Sequence, residues 1–328
     1  TRVSEDVIES YLRWQQRRNG WSAAADWFRF TPGVVTAINL LLLSETEEGD
    51  EVLIQRPVYY PFADSIQQQK RTVVNSPLHL KNGRYEIDFE DFEQKTASPQ
   101  CKAFILSNPH NPVGRVYTEE ELRRLGEICL KHHVFVIADE IHSDLIFPGH
   151  RHVVFASLGR DYAENCAVCH APSKTFNLAG LSFSCILIPN QARRERFDRM
   201  FARYCRAHPN FFAPVAAKAA WDYGEDWLNS CLSYIQKNDQ FVREFAENTW
   251  HGDVWISPLE GTYLQWIDFR KLEPDPERLR QTMLYQARVA MDEGSMFGAE
   301  GNGFERLNLA APRKVIAEIM DRIAAALR

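Results

Sequence analysis

The stretch HAPSKTFNLAGL, residues 170–181, sets a lone lysine, Lys174, just beyond the apolar run NCAVCH (165–170). An amine there can form an imine with a carbonyl group, and burial lowers its pKa and makes it a nucleophile and a base. Three other segments carry side chains or backbone suited to chemistry. NPHNPVG (108–114) follows KAFILS (102–107). Its two Asn-Pro steps and its glycine predict a tight polar turn that holds the Asn111 amide over a strand end. DEIH (139–142) follows the run VFVIA, and Asp139 at such a strand end is costly to bury unless it meets a cation. TPGVVTAINLLLL (31–43) places Pro-Gly directly before a helix. The free N–H groups of that helix start make an anion site suited to a phosphate monoester. No GK[ST] follows, so it is not a P-loop, and no GxGxxG dinucleotide fingerprint is present. Taken singly, each feature has a plainer reading: an exposed loop lysine, a good turn, a helix N-cap, an ordinary helix start.

Taken together, the four describe one ligand. They offer a phosphate site, an amide for a phenolic oxygen, a carboxylate for a ring cation and an amine for an aldehyde. Pyridoxal 5′-phosphate carries all four groups, and its expected protein partners are a Schiff-base lysine and an acidic residue at the pyridinium nitrogen.

These residues need a scaffold that brings strand ends together. Apolar runs at 51–56, 71–76, 102–107, 134–139, 165–170 and 183–188 read as buried strands, with helical patterns between most of them. The alternation predicts an α/β domain with a largely parallel sheet, in which ligands sit beyond the carboxyl ends of the strands. The clearest helix is TEEELRRLGEICLKHH (118–133), with Thr118 and Glu121 forming a capping box. An amphipathic helix is expected from about Ser4 to Arg18, with Ser4 as N-cap and Gly20 just past its end. A long helical stretch holds Trp221 and Trp227 near its middle. Residues 261–269 and 304–311 then read as strands of a second layer, and residues 313–328 as a closing helix. The boundary is placed near residue 225, giving a large domain over 1–225 and a smaller α+β domain over 226–328.

Composition narrows the class. The chain has 328 residues, 45% of them apolar and 25% charged, with a formal net charge of −6. That balance argues against a nucleic-acid partner. The basic cluster RRERFDRMFARYCR (193–206) is interrupted by Glu195 and Asp198 and reads as a solvated helix face. No run approaches the roughly 20 apolar residues of a membrane span. The seven cysteines are scattered, and the alternation of CAVC (166–169) fits a buried strand, which points to reduced thiols and a cytoplasmic setting.

The segments SNPHNPVG, VIADEIH and APSKTFNLAG, with 28 residues from Asn111 to Asp139 and 35 from Asp139 to Lys174, resemble the class I/II aminotransferase superfamily of fold-type I pyridoxal-phosphate enzymes. SPLEGTYLQWIDF (257–269) and MFGAEGNGFERLNLAAPR (296–313) are similar to its cystathionine β-lyase/cysteine C–S lyase branch. The resemblance implies an aspartate aminotransferase-like fold with a seven-stranded sheet. It also implies that Lys174 holds the cofactor covalently, Asp139 pairs with the pyridinium nitrogen and Asn111 reaches the phenolic oxygen. His142 would lie nearby, at a position where many aminotransferases have a tyrosine. Tyr59 would stack on the ring; Gly33, Val34, Val35 and Ser173 would hold the phosphate; Arg306 would clamp the substrate α-carboxylate. Two phosphate contacts of many aminotransferases, a serine and an arginine, are replaced here by Ala171 and Ser182. Loss of that arginine fits the lyase branch. The resemblance further implies a homodimer, and a family segment ahead of this chain's first residue that is missing here, with a pocket motif and a tyrosine that reaches the partner's phosphate. The activity implied is β-elimination from L-cystathionine or another S-substituted cysteine, giving a thiol, pyruvate and ammonia. Aminotransfer by the same residues is the alternative, and a non-catalytic regulator on the same scaffold a third.

Overall fold

A computed structural model describes residues 3–327; Arg328, the last residue of the expected closing helix, lies outside them. The first helix spans Glu5–Asn19 and buries Val7, Tyr11 and Trp14, which recur at helical spacing. Gly20 closes it at φ 66°, its N–H reaching the Gln15 and Gln16 carbonyls. Ser4 stands at the N-cap but its side chain makes no capping bond.

Among the described residues thirteen strands follow: β1 (Phe28–Thr31), β2 (Glu51–Ile54), β3 (Thr72–Asn75), β4 (Leu78–Lys81), β5 (Arg84–Ile87), β6 (Cys101–Ser107), β7 (Phe135–Asp139), β8 (Cys166–His170), β9 (Ser184–Leu187), β10 (Trp255–Ile256), β11 (Leu264–Asp268), β12 (Asp292–Glu293) and β13 (Phe304–Asn308). Seven of them make one sheet in the order β1-β9-β8-β7-β6-β2-β3. From β8 through β3 every pairing is parallel, and β9 alone runs against its neighbours. This is the α/β architecture with a largely parallel sheet that the alternating pattern predicts, and its seven strands are the number the resemblance implies.

The central strands read as continuous apolar runs because both sheet faces are covered. In β6, Phe104 and Leu106 enter one core while Ala103 and Ile105 enter the other. The helix Val34–Glu45 packs into the second core. The helix Glu119–Lys131, with its Thr118/Glu121 capping box in place, packs into the first. A third core, with Ile235, Trp250, Ile267, Phe269, Met320 and Ile323, lies against the antiparallel sheet β10-β11-β13-β12.

Some expectations need correction. Residues 71–76 do not form a buried strand: β3 lies at the sheet edge, with Thr72 exposed and Val73, Val74 and Asn75 half-buried. The stretch holding Trp221 and Trp227 is two helices, Ala213–Tyr223 and Glu225–Trp250, which meet at Gly224. The basic cluster at 193–206 is not simply a solvated face. Arg194 is buried and donates to the Ile188 carbonyl, while Arg193 and Arg196 converge on Glu45. Strands β1, β10 and β12 and the hairpin β4–β5 are too short or too polar to stand out by pattern.

The consequence for function is directional. Strands β2, β6, β7 and β8 run parallel, and β1, antiparallel to β9, runs with them. Their carboxyl ends open on one edge; β1, β6, β7 and β8 are each followed by one of the four segments singled out above, and β2 by the loop that carries Tyr59.

Candidate active site

A cavity of about 360 Å³ opens at that edge, within the usual range of roughly 300–1,000 Å³ for small-molecule sites. It is lined by Lys174, Asp139, Asn111, Tyr59, His142 and Ser173, by Gly33, Val34 and Val35, and by Arg306. All ten residues expected from the sequence therefore converge, although they come from both sheets and span most of the chain.

Lys174 sits in the helical turn Pro172–Thr175 after β8. Burial lowers its pKa, and the positive charge of Arg306 adds to this, while Asp139 works the other way. The turn is anchored from below. The Thr175 hydroxyl donates to Asp144 at 2.8 Å, and the indole N–H of the buried Trp14 donates to the same carboxylate at 3.0 Å.

Asp139 ends β7. Burial pushes its carboxyl up to about 7. The Ile141 N–H, 3.1 Å from Oδ1, and the Lys174 charge oppose that rise, and Glu140 adds to it. Among the described residues Asp139 has no ion-pair partner. His142, one turn further, is buried against the Tyr263 ring, with centroids 5.8 Å apart. Burial, then the charges of Lys174 and Arg306, push it down to about 3. It is thus a neutral imidazole, and its Nδ1 has no hydrogen-bond partner among the described residues.

Asn111 lies in the turn after β6, where both Asn-Pro bonds are cis. Its backbone N–H donates to Ser107 Oγ at 3.4 Å and its carbonyl accepts from the Tyr59 N–H at 3.1 Å. Its side-chain oxygen accepts from Arg306 Nη1 at 2.8 Å. Arg306 reaches the cavity from β13 of the second sheet and lies over the Phe297 ring at 4.9 Å. Its other terminal nitrogen pairs with Asp292, and its buried Nε has no partner among the described residues.

Gly33 begins the helix Val34–Glu45 at φ 123°, a backbone conformation open to glycine and strained for other residues. Its own N–H donates to Ser184 Oγ at 3.2 Å. The anion-facing donors of this helix start are therefore the following N–H groups, which have no acceptor within the helix. Ser173 and Ser182 line the same cavity.

A pyridine ring with a phosphate arm fits these groups. The buried Asp139 carboxylate has no ion-pair partner among the described residues, and the helix start offers N–H donors.

Several residues at the site escaped sequence reasoning. Ser107, Tyr60, Tyr263 and Asn308 also line the cavity. Ser107 had the same signal as Asp139, a polar residue closing an apolar strand. Beneath the cavity, Glu140 accepts from His152 at 2.9 Å, from His170 at 3.0 Å and from the Phe155 N–H at 2.7 Å. The Tyr11 hydroxyl meets the other nitrogen of His170. These residues lie far apart in sequence, and no local pattern joins them.

Comparison with known proteins gives the same picture. Residues 3–323 match the family described as aminotransferase class I and II. The chain is 41% identical over 327 residues to the cystathionine beta-lyase PatB of Bacillus subtilis (strain 168), covering 100% of this chain and 84% of that protein. It is 29% identical to the protein MalY of Escherichia coli (strain K12), covering 98% of this chain and 85% of that one. Among solved structures, cystalysin from Treponema denticola, which contains a pyridoxal 5′-phosphate cofactor, superposes with a TM-score of 0.98 at 39% identity, over 100% of this chain and 83% of that one. With this architecture and a match over nearly its whole length, the chain belongs to the aminotransferase class I and II family, on the fold-type I scaffold.

Proposed function

We propose that the protein is a pyridoxal-phosphate-dependent carbon–sulfur lyase, which cleaves L-cystathionine or related S-substituted cysteines to a thiol, pyruvate and ammonia. The observation that carries this is the convergence of Lys174, Asp139 and Arg306 on one cavity, joined to the similarity with a cystathionine beta-lyase along the full chain. When bound, the cofactor supplies an electron-withdrawing ring that stabilises the negative charge left at the substrate's α-carbon.

The chain's own residues do the rest. Lys174 Nζ would tether the cofactor and, as a free amine, would take the proton from the substrate's α-carbon; its lowered pKa favours the neutral amine that this needs. Asp139 is buried where a ring cation would meet its carboxylate. Asn111 would offer its amide to the phenolic oxygen, with the neutral His142 nearby. Tyr59 would stack on the ring. The N–H groups after Gly33 and the Ser173 hydroxyl would hold the phosphate. Arg306 fixes the substrate carboxylate with a planar donor edge, the geometry for which arginine is preferred to lysine. With the carboxylate held, the thioether at the β-carbon departs as a thiolate once the α-proton has gone.

Three further assignments belong to this reading. The protein acts as a homodimer, which the exposed Phe211, Phe212 and Tyr223 support as candidates for contact. It works in the cytoplasm, in keeping with seven free cysteines and with no described helix long and apolar enough to cross a membrane. The small domain begins at about Glu225, where a new helix starts and leads into the third core.

The test is incubation of the protein with pyridoxal phosphate and L-cystathionine, without any 2-oxo acid, and mass spectrometry of the products. Pyruvate and homocysteine over many turnovers are expected. A single stoichiometric burst of the oxo acid of intact cystathionine would instead identify an aminotransferase.

A further inference from the structure

We propose that Asp292 is a positioning residue for Arg306, holding its guanidinium in the orientation that receives the substrate carboxylate. The inference rests on the reading of Arg306 as the carboxylate clamp.

Three groups fix the guanidinium. On the cavity side the Asn111 side-chain oxygen accepts from Nη1 at 2.8 Å. The Phe297 ring lies under its plane at 4.9 Å. From the other side the Asp292 carboxylate takes Nη2. Asp292 stands directly across from Arg306 in the register of β12 on β13, and residues so paired have Cβ atoms about 4.5–5.5 Å apart. A short aspartate therefore reaches the arginine without spanning a loop.

Arg306 and Asn111 line the cavity, whereas Asp292 is not among the lining residues. Asp292 thus holds the arginine from outside the site and does not occupy the place of the substrate. Nε is buried without a partner among the described residues, and each terminal nitrogen keeps a second N–H beyond the bond just named. A guanidinium held by two polar groups and a ring, with a donor free, is prepared for a carboxylate. A long arginine without such restraint would lose rotamer freedom on binding, at a cost to affinity.

The consequence is selective. Loss of the Asp292 contact should weaken ligands that carry an α-carboxylate and spare those that do not. The experiment titrates the cofactor-loaded protein with glycine and, separately, with methylamine, following the visible absorbance of the cofactor. Glycine carries the carboxylate and no leaving group, and methylamine lacks the carboxylate. Asp292→Ala should raise the glycine dissociation constant about three- to tenfold and leave that of methylamine unchanged. Asp292→Asn, which keeps the shape and loses the charge, should fall between. In turnover the Ala variant should raise KM with kcat nearly unchanged.

Arg306→Ala is measured alongside. If it weakens glycine while both Asp292 variants bind glycine as the parent does, or more tightly, the positioning role is wrong and the clamp stands. If Arg306→Ala leaves glycine binding unchanged, the clamp itself is wrong and the positioning role goes with it. Equal weakening of methylamine by Asp292→Ala would indicate general damage to the site and would also overturn the proposal.

Discussion

Asp139 offers a quantitative test of how its burial is used. In the cofactor-free protein its carboxyl is pushed from 3.8 up to about 7, with burial as the leading cause. The native state then holds a proton that the unfolded state gives up. Stability from this group is complete below pH 3.8, declines as pH rises, and is lost once pH passes about 7. A rise of that size corresponds to about 4 kcal/mol at full ionisation, and about 3 kcal/mol of it falls between pH 5 and pH 8. Asp139→Asn mimics the protonated form. It should therefore stabilise the cofactor-free protein, and by about 3 kcal/mol more at pH 8 than at pH 5. Urea unfolding of both proteins at the two pH values, followed by tryptophan fluorescence, measures the difference. With cofactor bound, a ring cation meets the carboxylate, so the advantage of the Asn variant should vanish and its affinity for pyridoxal phosphate should drop. An advantage for Asn that is the same at pH 5 and pH 8 would refute the reasoning, because it would mean that Asp139 does not titrate in that window.

Other expectations follow from the same geometry. Lys174→Ala should abolish turnover of L-cystathionine and remove the visible absorbance of lysine-bound cofactor; normal turnover by this variant would exclude the lysine as base and tether. Gly33→Ala adds a Cβ that meets nothing within 4 Å, but at φ 123°. It should cost about 1–3 kcal/mol through backbone strain alone and weaken pyridoxal phosphate, as thermal unfolding and a cofactor titration would report. Glu140→Ala leaves His152, His170 and the Phe155 N–H without their shared buried acceptor. It should destabilise the fold by about 3–5 kcal/mol, the usual effect of breaking a buried charged network, and a denaturant series would show it.

The sequence by itself determined the class of fold and the chemical inventory. Long apolar strands must be covered on both faces, so runs such as 102–107 and 134–139 already imply a parallel sheet between helices. Polar residues that close such runs are costly wherever the chain buries them, so Asp139, Asn111 and Lys174 stood out against their neighbours. Local chemistry also settled the Thr118/Glu121 capping box and the Gly20 helix stop, since both depend on a few adjacent residues.

Tertiary structure decided what local pattern cannot carry. Strand order, and therefore which ends meet, depends on packing across the sheet; β9 reads like its neighbours yet runs antiparallel to them. The edge position of β3 left a run of apolar appearance half-buried. The contact of Tyr11 with His170, the network around Glu140, and the meeting of Arg306 with Asn111 and Asp292 join residues from distant parts of the chain. Hydrogen bonds and ion pairs act over a few ångströms in space, whereas sequence patterns report only on near neighbours. The raised pKa of Asp139 arises in the same way, from the low-dielectric surroundings that only the folded chain assembles.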